Sequence, residues 1–453
     1  MKRRDFLFAA GAIAAQAGRD VVMPGIVEAA PSKADHTIRI GPASVELAPG
    51  KIIRTTGYNG TVPGPLLRMK EGKPVTVDIF NDSDHPELVH WHGLFVSTKT
   101  DGAEEEGSPL VPPHGHLRVS FTPKPSGTRW YHTHAMAMDD LTKGAYTGQF
   151  GFLYVEPKSG GDPGNYDQEV FLASRHWEPK IIHRGDPNND WALDYASASL
   201  GERSLGHGEP IRVRQGQRVL LRLLNADATR DINLALPGHQ FKVIALDGNP
   251  VPKPATVDVL QLVVAERVDA VVEMNQPGVW ILGATNDTDR NRGLGVVIEY
   301  EGQKGEPLWK TPPNIPWDYT LFGNEAAAPE PDGRFELSFH MLPDEGKPFN
   351  RWAVNDKVYP NTDPLMVKAG KRYRLSFRSG HEDGHPVHLH RHSFELTKIG
   401  TKLTSGIFKD VVRVPRDGAA EVDFVADNPG LSLLHCHMQQ HMDYGFKTLV
   451  KYL

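Results

Sequence analysis

Short runs of alternating apolar and polar residues, each broken by a glycine, recur along the chain. Leu67-Arg68-Met69-Lys70-Glu71-Gly72 leads into Val75-Thr76-Val77-Asp78-Ile79. The pattern returns as Ile211-Arg212-Val213-Arg214-Gln215-Gly216 before Val219-Leu220-Leu221-Arg222-Leu223, and as Leu365-Met366-Val367-Lys368-Ala369-Gly370 before Tyr373-Arg374-Leu375-Ser376-Phe377. Alternation places every second side chain on one face of an extended chain, so each copy predicts strand, glycine turn, strand. A second landmark keeps step with the first. Ser126-Gly127, Pro277-Gly278 and Pro429-Gly430 each precede an apolar run, and the separations Gly72 to Gly127, Gly216 to Gly278 and Gly370 to Gly430 are nearly equal. Two landmarks repeating together mean three copies of one unit. The expectation is an all-β chain of three tandem Greek-key β-sandwich domains, over 36–157, 165–301 and 316–453. Ser159-Gly160-Gly161-Asp162-Pro163-Gly164 and the proline-rich stretch 302–316 are the joins.

Composition agrees with this organisation. With 453 residues the chain exceeds one ordinary core, and 44 Gly with 36 Pro suit many short strands better than long helices. A net charge of -6 without a basic run excludes a nucleic-acid partner. The first 30 residues read as an address rather than as fold. Lys2-Arg3-Arg4-Asp5-Phe6-Leu7 is a twin-arginine pattern, Phe8 to Ala17 is short and apolar, and Val27-Glu28-Ala29 suits a signal peptidase. Arg19 and Asp20 interrupt the apolar stretch too early for a membrane span, and no later stretch is long enough. The expectation is export by the twin-arginine machinery, which carries folded proteins, to the periplasm or the outside.

Histidine changes the picture most. There are 21 His and one Cys, so no disulfide can form within the chain. Four clusters stand out: His90-Trp91-His92-Gly93, His132-Thr133-His134, His385-Pro386-Val387-His388-Leu389-His390, and His435-Cys436-His437 with His441 following. In a strand, residues two apart share a face, so each His-x-His pair can aim two imidazoles at one point or at two adjacent metals. One such pair is ordinarily a polar strand face; four clusters at matching points of two repeats are not. Cys436 points away from its two His neighbours, and with His385 and His441 it can form the His2Cys set of a blue-copper site. Zinc is the rival metal, but closed tetrahedra or three ligands plus water leave most of this inventory unused. The middle repeat has Gly283-Ala284-Thr285 where the others carry His, and reads as a metal-free spacer or substrate wall.

These residues resemble the multicopper oxidases, a family that includes laccases, copper-efflux oxidases and bilirubin oxidases. The four signatures stand in family order, from about residue 38 to the end, and His435-Cys436-His437-Met438-Gln439-Gln440-His441 is highly specific. The resemblance implies cupredoxin-like sandwiches and four copper ions. His385, Cys436 and His441 would bind a type 1 copper that takes electrons from substrate. His90 and His388 would bind a type 2 copper, and His92, His132, His134, His390, His435 and His437 a type 3 pair. The last three coppers form the cluster at which O2 is reduced to water, between domains one and three. Ten residues after the Cys, the family places the residue over the blue copper; here that is Phe446, an axial non-ligand. The alternative is a core strand residue displaced by Gly445. The family also keeps an Asp near the first cluster, which makes Asp101 the candidate proton relay or orienting acceptor, with an ordinary turn Asp before Gly102 as the alternative.

Other residues carry less. His392-Ser393-Phe394 and His239-Gln240-Phe241 occupy matching places in a copper-bearing and a copper-free repeat, so both read as structural. His85, His114 and His116 read as loop residues, and Met136, Met138, Met438 and Met442 as packing around the site. Two departures from the family are Gln440, where bacterial relatives often have an acid, and Arg391, where Gly is common. Arg391 is expected to pair with a carboxylate beside the cluster. The function implied is a laccase-like oxidase of phenols and aromatic amines, with O2 and a small reducing substrate as partners. The alternative is a metallo-oxidase for Cu(I) or Fe(II), disfavoured by only 10 Met and no Met-rich run. A copper-free envelope-assembly protein is opposed by the complete set of ten His and Cys436.

Overall fold

A computed structural model of the chain describes residues 33–160, 165–183, 191–313, 315–344, 347, 349–380 and 384–453. The twin-arginine pattern, its apolar stretch and the cleavage motif lie outside the described residues, as does 161–164 of the first join. No helix among the described residues is long and apolar enough to cross a membrane.

Among the described residues strand accounts for 52% and helix for 5%, so the fold is all-β. Six sheets form in three pairs, each pair drawn from one stretch of sequence. The first pair has four strands in each sheet; the second and third pairs each combine a six-stranded with a five-stranded sheet. Both sequence landmarks are left-handed glycines. Gly72, Gly216 and Gly370 have φ of 76, 79 and 77°, a region open to glycine and strained for other residues. Each turns the chain from one sheet into the other, because the strands on its two sides have different partners. In the first sandwich, Val75–Asn81 pairs parallel with His36–Ala48, whereas Gly64–Lys70 pairs parallel with the final strand Phe150–Glu156. The same two parallel pairings recur in the second and third copies. The glycine unit is thus a sheet-to-sheet corner, not a hairpin.

Alternation along these strands puts one face inward. In Val75–Asn81 residues 75, 77, 79 and 81 are buried and the three between them are half-buried. The cores merge where sandwiches meet. Trp130, Phe150 and Phe152 of the first pack with Trp177, Leu224 and Val263 of the second and Val411 of the third. Tyr319 and Phe322, from a single 3-10 turn in the stretch leading into the third sandwich, join the core shared by the second and third. Ala34–Leu453 therefore forms one compact unit, with buried apolar clusters running across its seams.

One close approach ties the first sandwich to the second. Gly127 (φ 118°) faces Gly248 (φ 72°), and a Cβ on Gly127 would lie 1.8 Å from the Gly248 carbonyl oxygen. Gly127→Ala is expected to lower the free energy of unfolding by ~3 kcal/mol, from overpacking against fixed backbone plus a disfavoured φ. Gly50→Ala is the control, since Gly50 also has a positive φ, 77°, but nothing within 4 Å; it should cost only ~1 kcal/mol. Chemical denaturation of the two variants checks the difference.

Candidate metal centre

The first histidine pair sits on the short edge strand His90–His92, which pairs with Gly127–His132 so that His90 lies opposite His132. In the third sandwich His385–Leu389 pairs with Ser432–Cys436, placing His388 opposite His435 and Val387 opposite Cys436. Strand pairing therefore gathers two histidine clusters per sandwich, and the two sandwiches present them to each other. His90 stacks on His390 at 4.0 Å between ring centroids and His92 on His388 at 3.8 Å. His134 meets His435 edge-on at 5.3 Å, and His132 and His92 each lie 5.1 Å from His437. All eight rings are buried.

Outward hydrogen bonds fix which nitrogen six of the eight rings turn inward. His90 Nδ1 donates to the Asp101 carbonyl (2.8 Å), His388 Nδ1 to the Asp410 carbonyl (2.6 Å), His132 Nδ1 to Thr133 O (2.8 Å) and His435 Nδ1 to Cys436 O (2.9 Å). His390 Nδ1 donates to Asp101 Oδ2 (2.7 Å). Each leaves Nε2 as a bare lone pair. His92 is reversed: its Nε2 donates to Asp410 Oδ1 (3.0 Å) and its Nδ1 faces inward. The consequence is a set of lone pairs aimed at lone pairs. His390 Nε2 is 3.1 Å from His435 Nε2, and His92 Nδ1 is 3.4 Å from His132 Nε2. The Nε2 atoms of His90, His134, His388 and His437 are buried without any hydrogen-bond partner. Protonation does not relieve this. Burial, reinforced by neighbouring imidazoles, holds His92, His132, His134, His390, His435 and His437 well below the ordinary histidine range, and His388 at about 3. Neutral imidazoles with converging lone pairs are a metal-binding array. Within it His134, His390 and His435 form one triplet with mutually close nitrogens, and His90, His388 and His390 another.

Cys436 faces the other way. Its Sγ lies 3.4 Å from His441 Nδ1 and 3.9 Å from His385 Nδ1, and all three are buried. Phe446 walls this set, with its ring 5.0 Å from His385 and 4.4 Å from Phe339, and Trp352 lies 4.0 Å over His441. One soft thiolate with two imidazoles in an apolar shell suits copper. The residues flanking Cys436 belong to the eight-histidine array, so one tripeptide spans both groups.

Comparison with known proteins agrees with this chemistry. Three profiles described as multicopper oxidase match residues 40–160, 128–303 and 330–452. This chain belongs to the multicopper oxidases. It is 29% identical to multicopper oxidase MmcO of Mycobacterium tuberculosis over 92% of this chain and 86% of that one. It is 27% identical to laccase-2 of Trametes villosa, over 86% and 84%. Among solved structures, a multicopper oxidase of Campylobacter jejuni described as a metallo-oxidase superposes with a TM-score of 0.72, at 21% identity, covering 92% of this chain and 91% of that one. The chain is accordingly a copper-dependent oxidoreductase with O2 as acceptor.

Around the array the oxidase places three buried carboxyl groups. Asp101 is fully buried; besides accepting from His390, its Oδ2 is 3.2 Å from His90 Nδ1. It is also the residue before Gly102, where a Cβ would strike Val89 O at 2.0 Å. Glu106, not expected from the sequence, lies with Oε1 3.5 Å from His390 Nδ1 and accepts from the Leu433 N–H at 2.7 Å. Burial and the adjacent Asp101 push its carboxyl well above the usual range. Asp410 was also not expected. A lone acid between two strand patterns carries no signature, although Lys409-Asp410 and Glu266-Arg267 are charged pairs inside apolar runs, which is a signal of buried pairing.

Arg391 has its expected carboxylate beside the array, the buried Glu106, but its direct hydrogen bonds go elsewhere. Its guanidinium donates to the carbonyls of Val96, Leu431, Asn428 and Pro429 and to Ser432 Oγ, with Glu106 Oε2 3.8 Å away. At φ 63° Arg391 takes the conformation for which glycine is common. Met136 and Met138 do not pack around the site; they are 47% and 37% exposed, whereas Met438 and Met442 are buried. His116 is in the strand His116–Phe121, paired with Asp78, rather than in a loop. His239 and His392 are structural in the same manner: His239 Nε2 meets the Tyr300 hydroxyl at 2.6 Å and His392 Nε2 the Tyr452 hydroxyl at 2.9 Å.

The depressed histidine pKa values make the copper-free protein acid-sensitive. The unfolded chain binds protons near pH 6.5 that these rings refuse when folded, so stability is intact above that pH and is lost as pH falls toward 3. Each ring contributes about 1.4 kcal/mol per pH unit in that window. Denaturant unfolding of copper-free protein between pH 7 and pH 5 is expected to show a steep loss of stability; a flat profile would mean that the rings are already protonated when folded.

Proposed function

We propose that this multicopper oxidase is laccase-like: it oxidises phenols and aromatic amines one electron at a time at His385, Cys436 and His441, and uses the electrons for four-electron reduction of O2 to water at the eight-histidine array. The observation that carries this reading is the continuity of His435-Cys436-His437, which puts a thiolate in one group and its two neighbours in the other. In this reading His385, Cys436 and His441 hold the type 1 copper, His90 and His388 the type 2 copper, and His92, His132, His134, His390, His435 and His437 the type 3 pair, four coppers in all. Bound copper supplies the one-electron redox chemistry. The chain supplies orientation, dryness and protons. Phe446 offers no donor atom, and a thiolate site closed by hydrocarbon has a higher potential than one with a thioether, which suits phenols. Asp101 holds His390 and stands beside Glu106, a second buried carboxyl, in place of the acid missing at Gln440. We further propose, from the twin-arginine pattern alone, that the oxidase works outside the cytoplasm.

One observation favours a second reading, oxidation of Cu(I) or Fe(II). Exposed Met136 and Met138 lie on the segment after His134, and the backbone N–H groups of Ala137 and Met138 donate to Asp443 Oδ2, on the helix Gln439–Asp443 that carries His441. Thioethers at that position would receive a soft cation.

Oxygen uptake with a methoxyphenol, Cu(I) and Fe(II), compared side by side on copper-loaded protein, separates the two. The laccase-like reading expects the phenol to give a kcat/KM at least ~10-fold above either metal ion. Copper analysis should give four ions per chain with an intense blue band, and Cys436→Ser should abolish the band and substrate oxidation together; one copper, or zinc alone, ends the proposal.

Asp101→Asn is expected to slow reoxidation by O2 by ~10²-fold or more while leaving reduction of the blue copper by substrate nearly unchanged. Stopped-flow measurement of the two half-reactions checks it, and equal slowing of both removes Asp101 from proton delivery.

A further inference from the structure

The second sandwich carries none of the histidine clusters, yet one of its side chains stands beside the array. Arg267, fully buried, uses all five of its N–H donors. Its Nη1 donates to Asp410 Oδ1 (2.7 Å) and to Ala265 O (3.1 Å); its Nη2 donates to Asp410 Oδ2 (2.6 Å) and to Asp247 O (3.1 Å); its Nε donates to Thr128 O (3.4 Å). The acceptors come from all three sandwiches. Asp247, also of the second sandwich, completes the grip: its Oδ2 accepts from the backbone N–H groups of Asp410 (3.2 Å) and Val411 (3.1 Å), and its Oδ1 from the Arg267 N–H (3.0 Å).

Asp410 is thus held at carboxylate and backbone alike, and it touches two rings of the array. Its Oδ1 accepts from His92 Nε2 at 3.0 Å, and its carbonyl accepts from His388 Nδ1 at 2.6 Å. The first bond is what turns His92 over, so that Nδ1 rather than Nε2 faces inward. Gly93 leaves room for the clasp, since a Cβ there would lie 2.6 Å from Asp410 Oδ2 and 2.8 Å from Arg267 Nη2. A guanidinium fork meeting a carboxylate on both oxygens fixes its plane, which a point charge does not.

We infer that Arg267 is a positioning residue of the oxygen-reducing cluster: by clasping Asp410 it holds His92 and His388 in the orientations that bind metal, so the sandwich without ligands governs how firmly the cluster is filled. The inference rests on the assignment of these histidines to a three-copper cluster. It also revises the expectation that the middle sandwich is a spacer.

The test uses the full chain loaded with copper. Arg267→Met removes the clasp, Arg267→Lys keeps the charge without the fork, and Arg267→Met with Asp410→Asn removes both charges, so that neither is left buried alone. Copper per chain after dialysis against a chelator, the blue absorption and the copper EPR spectrum are recorded for each. Arg267→Met and the double variant are expected to keep the blue absorption while the cluster binds copper ~10- to 100-fold more weakly. Arg267→Lys should fall between them and the wild type. Retention of cluster copper with an unaltered EPR spectrum in all three variants overturns the inference. So does parallel loss of blue absorption and cluster copper, including failure to fold, because that is a stability effect alone. A wild type that holds no three-copper set overturns the cluster assignment and this inference with it; a filled wild type with filled variants overturns this inference only.

Discussion

Eight buried imidazoles with ring nitrogens turned toward one another are the constraint on which the rest of the structure depends. Two bare nitrogens 3.1 Å apart cannot hydrogen-bond, and burial keeps protons from bridging them. Only a cation satisfies such an array, and six of its eight rings are held from behind. The outward nitrogen of each controlled ring meets a carbonyl or a carboxylate: Asp101, Thr133, Cys436 and Asp410 do this for six rings. Backbone carbonyls suffice for most rings, because strand pairing already aims them. Carboxylates appear at His92 and His390, one on each side of the seam between the first and third sandwiches.

Seam placement has an energetic side. Neither sandwich can finish the array alone, so the fold must hold the two in register without metal to help. The buried Arg267–Asp410–Asp247 group does so at three-way contact, and removing one partner of such a pair leaves a charge in the dry interior at a cost of ~3–5 kcal/mol. Lys409 adds a second link, with its Nζ 2.9 Å from Asp247 Oδ2 and 3.0 Å from Glu266 Oε1. Charges this deep contribute little net stability compared with apolar packing, but they tolerate only one arrangement, and one arrangement is what the rings need.

Much of this was readable in the chain before any coordinates. Alternation around Gly72, Gly216 and Gly370 exposed the threefold repeat, and His-x-His spacing on strands exposed the array, because both depend on the local period of an extended chain. The matching of His239 with His392 pointed to a structural role, and their tyrosine partners supply it. What stayed hidden depends on contacts far apart in sequence. Asp410 and His92 are 318 residues apart, and Arg267 and Asp410 are 143 apart, so no local pattern links them. The glycine unit was readable as strand, turn, strand, but the entry of its two strands into opposite sheets was not, since alternation reports which face a residue takes and not which partner its strand has. Met136 and Met138 look like core residues by composition; their exposure follows from a segment pinned through its backbone to Asp443, which leaves the side chains outward.

His239 and Tyr300 close the second sandwich as His392 and Tyr452 close the third, although only the latter stand beside the histidine array. Closure of the sandwich is therefore independent of the ions it serves. The His–Tyr latch is the same device in a sandwich with ligands and in one without, so it belongs to the architecture of the repeat and not to its chemistry.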